Sequence, residues 1–283
     1  MATGASSTVL RWDLARRLRE LRLSAELTIE DVAKELMCSP AKVSRMETAG
    51  RGIQPRDVRD LCRFYKVTDE VREELMAMAR DARRPGWWHD YRTLDEQTKT
   101  FIGLETSASA ILMLESRAVP GLMQTRDYTE TLLRGLLPPE EQAGVEEMVE
   151  LRQKRIERVR SGEVSLEVLA DETVFRRDFG RPDILRRQIQ QLIDFSTYDN
   201  VQLRILPFSA PASPGIHGSF QHLALASNPP SEFVFIEGLR GHFLIDRETD
   251  VARFLRAYES TKIHTLPPEE THDWLRSLLT GSA

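Results

Sequence analysis

The chain has 283 residues, 29% of them charged and 41% hydrophobic, a globular composition long enough for one large or two ordinary domains. No apolar run reaches the ~18–20 residues of a membrane span, the leading MATGASSTVLRWD lacks the apolar core of a signal peptide, and two cysteines (Cys38 and Cys62) are too few for a disulfide framework, so a reduced, cytoplasmic protein is expected. The net charge of −5 argues against nucleic acid, but it is uneven: residues 1–84 carry 17 Lys and Arg against 14 Asp and Glu, a net +3, which leaves −8 for the rest.

Residues 10–23, LRWDLARRLRELRL, place Leu10, Leu14, Leu18 and Leu21 on one helical face and arginines on the other. TIEDVAKELMCSPAKVSRME (28–47) then reads as two short helices joined by a tight turn. Thr28 is the first N-cap, with Asp31 closing an approximate capping box; Ser39 is the second, followed by Pro40 at the first helical position. Val32, Ala33, Leu36, Val43 and Met46 face inward, and Lys42, Ser44, Arg45 and Glu47 are expected to face out. This is the pattern of a helix-turn-helix, whose second helix enters the major groove of DNA. A plain helical hairpin would show part of it. The flanks decide for the former: TAGRGIQP forms a loop, DVRDLCRFYKV a fourth helix and TDEVREELMAMARDARR a fifth, opening at Thr68.

Pro85-Gly86 ends that helix, and Trp87-Trp88 follow in a hinge at 85–94; one tryptophan is expected in a core and one at a domain junction. FIGLETSASAILMLESRAVPGLMQT reads as a long apolar-faced helix or a strand–helix element. Helices follow at 125–136, 139–160 and from Pro182, with β character at 163–170, 201–207, 219–226, 233–238 and 242–246, and two closing helices. The fold class expected is a mainly α five-helix domain over 8–84, then an α+β domain over 95–280 with a small sheet of four or five strands and several helices.

Residues 12–66 resemble the Cro/CI-type (Xre-like) helix-turn-helix domain, through the first helix, the second helix with its Ala33, SPAKVSRME and DVRDLCRFYKV. The resemblance implies that the start of the recognition helix, and residues a turn later, meet phosphates and bases. The positions are Ser39, Pro40, Ala41, Lys42, Ser44 and Arg45, with Thr28, Arg51 and Arg56 beside them as further candidates. Arg45 suits guanine, whose O6 and N7 match its fork; Lys42 suits a phosphate; Ser39, Arg51 and Arg56 suit backbone clamps; Pro40 and Ala41 can pack on a thymine methyl. The chain departs from the family at Met37, where the turn usually has Gly, and at Glu47-Thr48-Ala49-Gly50, where Gly usually comes one residue earlier. A positive φ at Met37 would be strained, and Gly50 is the candidate C-cap.

GLETSASAI, AVPGLMQT, DETVFRRDFG, QIQQLIDF, VQLRILP, SFQHLALA and FVFIEG, in that order after GWW, resemble the C-terminal domain of unknown function found in antitoxin-like regulators of actinobacteria. That resemblance implies DNA-binding regulation, often beside a gene for a short companion protein that binds the regulator.

No catalytic, metal or cofactor site is expected. His217, His222 and His242 lack a ligand spacing, Asp171-Glu172 reads as a helix cap with first-turn charge, and GIHGSF lacks the lysine and helix of a phosphate loop. The long loop PFSAPASPGIHG leaves open a ligand pocket walled by the sheet. The expected function is a homodimeric, nucleoid-associated transcriptional regulator on near-palindromic double-stranded DNA, its C-terminal domain mediating dimerisation and partner binding. A C-terminal domain that senses a small molecule, or one that catalyses a reaction, are the alternatives.

Overall fold

Side-chain caps start most helices of the N-terminal part. In α1 (Ser7–Ser24), α2 (Ile29–Glu35), α3 (Pro40–Glu47) and α5 (Asp69–Asp81), the caps Ser6, Thr28, Ser39 and Thr68 each accept a backbone N–H from three residues on. α4 (Pro55–Phe64) relies on Pro55 instead. The structure, a computed structural model, describes residues 6–49, 52–177, 181–226, 231–238 and 241–281. The chain divides into two units, Met1–Asp90 with Ile102–Ser107, and Tyr91–Phe101 with Ala108–Ala283.

In the first unit, Leu14, Leu18, Val32, Ala33, Val43, Met46, Val58, Leu61, Cys62 and Leu75 form one buried cluster, with Leu21 and Leu36 packed partly against it. These are the inward faces read from the helical spacing. α6 (Glu96–Ser107) contributes its second half to this unit. There, Ser6 Oγ donates to the Gly103 carbonyl at 2.7 Å, and Ser107 Oγ accepts from Ser6 N at 3.0 Å. Trp88 is buried under Gly86, with Trp87 half-buried edge-on to it at 5.9 Å.

Three helices of this unit end in a Schellman turn that has no glycine at its left-handed position. After α1, α2 and α4 the chain turns through Glu26 (φ 56°), Met37 (φ 48°) and Lys66 (φ 54°). Each turn has the paired bonds of a Schellman motif, as in Cys38 N to Ala33 O and Met37 N to Lys34 O. The positive φ that would strain Met37 is therefore present, held by Leu36 and Cys38, which pack partly against the core on either side. A non-glycine residue pays about 1–2 kcal/mol there, and Met37 recovers none through packing, being 93% exposed. Met37→Gly is expected to stabilise the unit by about 0.5–1 kcal/mol after the extra chain entropy of glycine, raising its melting temperature by a few degrees. A melt at or below that of the parent chain would show that the turn carries no strain.

Among the described residues of the second unit, six strands form one mixed sheet in the order β3-β2-β1-β4-β5-β6. β1 (Ala108–Glu115), β2 (Ser165–Asp171) and β3 (Val201–Leu206) are parallel; β4 (Phe220–Leu225), β5 (Ser231–Gly238) and β6 (Gly241–Ile245) continue the sheet antiparallel. The parallel crossovers are built by α7 (Arg126–Leu136) with α8 (Val145–Arg160), and by the short α9 (Thr173–Arg176) with α10 (Pro182–Phe195). α11 (Glu248–Lys262) and α12 (Pro268–Thr280) close the chain.

The stretch read as one long element is helix α6 running straight into strand β1, which adds a sixth strand, among the described residues, to the five β stretches read from the sequence. β1 is flanked by β2 and β4 and buries Ile111, Met113 and Leu114, residues that point to both faces. Such a run lacks the alternation that marks a half-buried strand. On one face, Val251 and Tyr258 of α11 pack on Leu114, Leu169, Phe220 and Val234. On the other, Phe101 stacks on Phe235 at 3.9 Å, and the Arg155 guanidinium lies 5.3 Å from the Phe101 ring.

The turn Val119–Thr125 is clamped by buried polar side chains. Gln124 donates to the Val119 carbonyl at 2.6 Å and accepts from Thr129 Oγ1 at 3.0 Å and Arg152 at 2.7 Å. Gln188 accepts from Thr125 N at 2.7 Å and donates to the Met123 carbonyl at 2.8 Å. Tyr128 Oη accepts from Val119 N at 3.2 Å.

Candidate nucleic-acid interface

α2 and α3 are set by the capping residues that flank their turn. Thr28 Oγ1 accepts from Asp31 N at 3.1 Å and Asp31 accepts from Thr28 N at 2.9 Å, a complete capping box. The Thr28 hydroxyl also donates to Asp31 Oδ2 at 2.6 Å, and this bond, with the one from Thr28 N, holds the Asp31 carboxyl below the usual carboxylate range. Ser39 Oγ accepts from Lys42 N at 3.2 Å, and Pro40 needs no partner for an N–H. Val43 and Met46 are turned into the core, which leaves the opposite side of α3 to solvent.

On that side, Ser39, Pro40, Ala41 and Arg45 are exposed, and Ser44 is half-buried with its carbonyl taken by Thr48. Among the described residues Arg45 has no ion-pair partner. Thr28 is exposed at the start of α2 and Arg56 at the start of α4, where its guanidinium lies 3.9 Å from Asp57. These residues belong to adjacent helix N-termini or to the outward face of α3. N-terminal backbone N–H groups favour anions such as phosphate. Arg51 lies outside the described residues, as does Gly50; the left-handed residue that follows α3 is Ala49, with φ 54°.

Two charges behave differently from their sequence reading. Lys42 is half-buried rather than fully outward, its Nζ 3.1 Å from Asp57 in the first turn of α4. Glu47 does not face out. It is turned into the unit and grips Arg22 of α1 with both oxygens, at 2.7 and 2.9 Å, while Arg22 also donates to the Leu27 carbonyl at 2.8 Å. Both side chains are over nine-tenths buried. Arg22, Glu47 and Asp57 thus position α3 between α1 and α4. Nothing in local spacing reveals this, since the partners are 25 and 15 residues apart. With Glu47 committed to Arg22, Arg45 stays available.

The polar candidates of the second unit sit on separate elements. Asp171, at the end of β2, accepts from Thr173 N at 2.8 Å, and Glu172 pairs with Arg176 at 2.7 Å and accepts from Phe208 N at 2.8 Å, so both hold the turn around α9. His222 is buried in β4 with its pKa lowered by burial, its ring 3.6 Å from Glu232. His242 in β6 contacts Thr98 at 3.2 Å. Strand alternation places these two rings on opposite faces of the sheet. His217 lies in the loop before β4. Among the described residues no three His, Cys, Asp or Glu side chains converge as a metal site, and no helix is long and apolar enough to cross a membrane.

Residues 13–75 match a family model described as a helix-turn-helix domain, the architecture of DNA-binding regulators, and residues 98–277 match one described as a domain of unknown function (DUF5753). No curated protein and no solved structure matches the chain.

Proposed function

We propose that this chain, which belongs to the DUF5753 family and carries a helix-turn-helix domain ahead of that region, is a sequence-specific transcriptional regulator that binds a near-palindromic operator as a homodimer. The observation that carries the reading is Arg45: exposed on α3, with no ion-pair partner among the described residues, and flanked by the exposed N-terminus of the same helix. Ser39, Arg56, Thr28 and Arg51 are assigned to the phosphate backbone, Lys42, whose ammonium also pairs with Asp57, to a phosphate, Pro40, Ala41 and Ser44 to the groove edge, and Arg45 to a guanine.

The finer resemblance belongs to the same proposal: a Cro/CI-type regulator of actinobacteria, cytoplasmic and nucleoid-associated, with an antitoxin-like body that binds a short companion protein. The body is read as non-catalytic because its candidate acids and histidines lie on separate elements. One observation favours a small-molecule sensor as the second reading. At the end of β1, where ligands of parallel sheets gather, burial pushes the Glu115 carboxyl up to about 7 despite Ser219, Arg117 and Arg152 beside it.

Selection of genomic fragments by the full-length protein tests the regulator reading, and no enriched motif would reject it. On a selected fragment, Arg45→Ala is expected to lose about 1–3 kcal/mol, roughly 5–150-fold in affinity, and to relax preference at one base pair. Lys42→Ala should weaken all sequences alike and lower the salt slope by about one. Unchanged affinity and selectivity in Arg45→Ala would remove Arg45 from the interface.

A further inference from the structure

We infer that β6 is the edge through which two copies of this chain pair, joining their sheets across a two-fold axis at Phe243. The inference rests on the homodimer reading above and assigns its surface. The two edges of the sheet differ. β3 is covered: Leu266 N donates to the Ile205 carbonyl at 2.8 Å, and Thr271 Oγ1 accepts from Ile205 N at 3.3 Å. Among the described residues, no hydrogen bond reaches the backbone of β6 from its outer side. An open edge is a template for another strand, and proteins protect such edges with charge, proline or a bulge. β6, GHFLI, has neither lysine nor proline, carries no Asp, Glu or Arg, and pairs with β5 in unbroken register.

The register also selects the occupant. Gly238 and Gly241 face each other across a two-residue connection, so they form a hydrogen-bonded pair. By alternation Phe243 and Ile245 also turn their N–H and C=O groups to β5, and His242 and Leu244 turn theirs outward. A second β6 laid antiparallel can then set His242 against Leu244 of the other copy, with about four backbone hydrogen bonds. The centre of that register is Phe243 opposite itself, in the non-hydrogen-bonded position where side chains come closest. Phe243 is 63% exposed, a large apolar ring on an edge strand with no other cover among the described residues. An uncharged strand meets its own copy without like-charge repulsion, and a two-fold contact requires such self-complementarity. His242 is held by Thr98 and its ring lies 4.9 Å from Phe235, so it is turned away from the axis.

The edge is short, well under the ~800 Å² per partner of a stable interface, so the dimer should dissociate in the micromolar range. Sedimentation velocity of the full-length chain from about 1 to about 200 µM should show a reversible monomer–dimer equilibrium. Phe243→Asp should weaken it at least about tenfold while leaving the circular dichroism melt unchanged, as expected for an exposed site. Phe243→Cys, oxidised by diamide, should give a disulfide-linked dimer that neither the parent chain nor the exposed-loop control Ile216→Cys gives. A dimer that persists in Phe243→Asp, or that fails to cross-link through Phe243→Cys, overturns the β6 assignment and leaves the homodimer reading standing. A parent chain that is monomeric across the range overturns both.

Discussion

Glu47→Ala and Arg22→Ala are each expected to destabilise the first unit by about 3–5 kcal/mol, because each leaves the other charge buried without its partner. For a unit of this size that is a fall of roughly 12 °C or more in melting temperature, read by far-ultraviolet circular dichroism. The cause is desolvation more than lost attraction. Arg22 and Glu47 are over nine-tenths buried and share two short hydrogen bonds. Removing both charges with apolar side chains of similar size, Arg22→Met with Glu47→Leu, should therefore recover most of the loss. The single variants should also bind DNA poorly although neither residue is exposed on the outer face of α3, since the pair sets the angle of that helix. A Glu47→Ala melt within about 1 kcal/mol of the parent would mean that water reaches the pair and that it contributes little.

Gln124→Leu is expected to cost the second unit about 3 kcal/mol or more. The substitution keeps the volume but removes a donor to Val119 and an acceptor shared by Thr129 and the charged Arg152, each loss worth about 1–3 kcal/mol when buried. Gln124 is 2% exposed and Thr129 fully buried, so water cannot replace the lost bonds without opening the turn. Hydrogen exchange should speed up over residues 119–129 before the rest of the sheet is affected. A variant with parent-like exchange there, and a denaturant midpoint within about 0.5 kcal/mol, would show that the clamp is dispensable.

The caps at Thr28, Ser39 and Thr68 and the apolar faces of α1–α5 were readable because each depends on residues three or four positions apart. The same holds for the outward position of Arg45, once Val43 and Met46 are assigned to the core. Glu47 escapes the same local logic: its helical position is compatible with either side, and only Arg22, on another helix, draws it inward. Lys42 likewise looks free until α4 brings Asp57 beside it. In the second unit, AVPGLMQT carries a family resemblance whose physical content, a turn clamped by Gln124, Gln188, Tyr128 and Arg152, appears only when α7, α8 and α10 are packed together.

The amino-acid sequence by itself determined the five N-terminal helices, the turn between α2 and α3, the exposed face that offers Arg45, and the α+β character of the body. Hydrophobic period and capping chemistry depend on residues close in the chain, so these features are legible without the rest of the fold. Tertiary structure alone decided that α6 gives way to a strand at Ala108, that the strands order as β3-β2-β1-β4-β5-β6, and that the β3 edge is covered by Leu266. It also decided which charges are buried in pairs. Those outcomes depend on contacts between residues far apart in the chain, where the energy lies in removing a group from water and no local pattern records its partner.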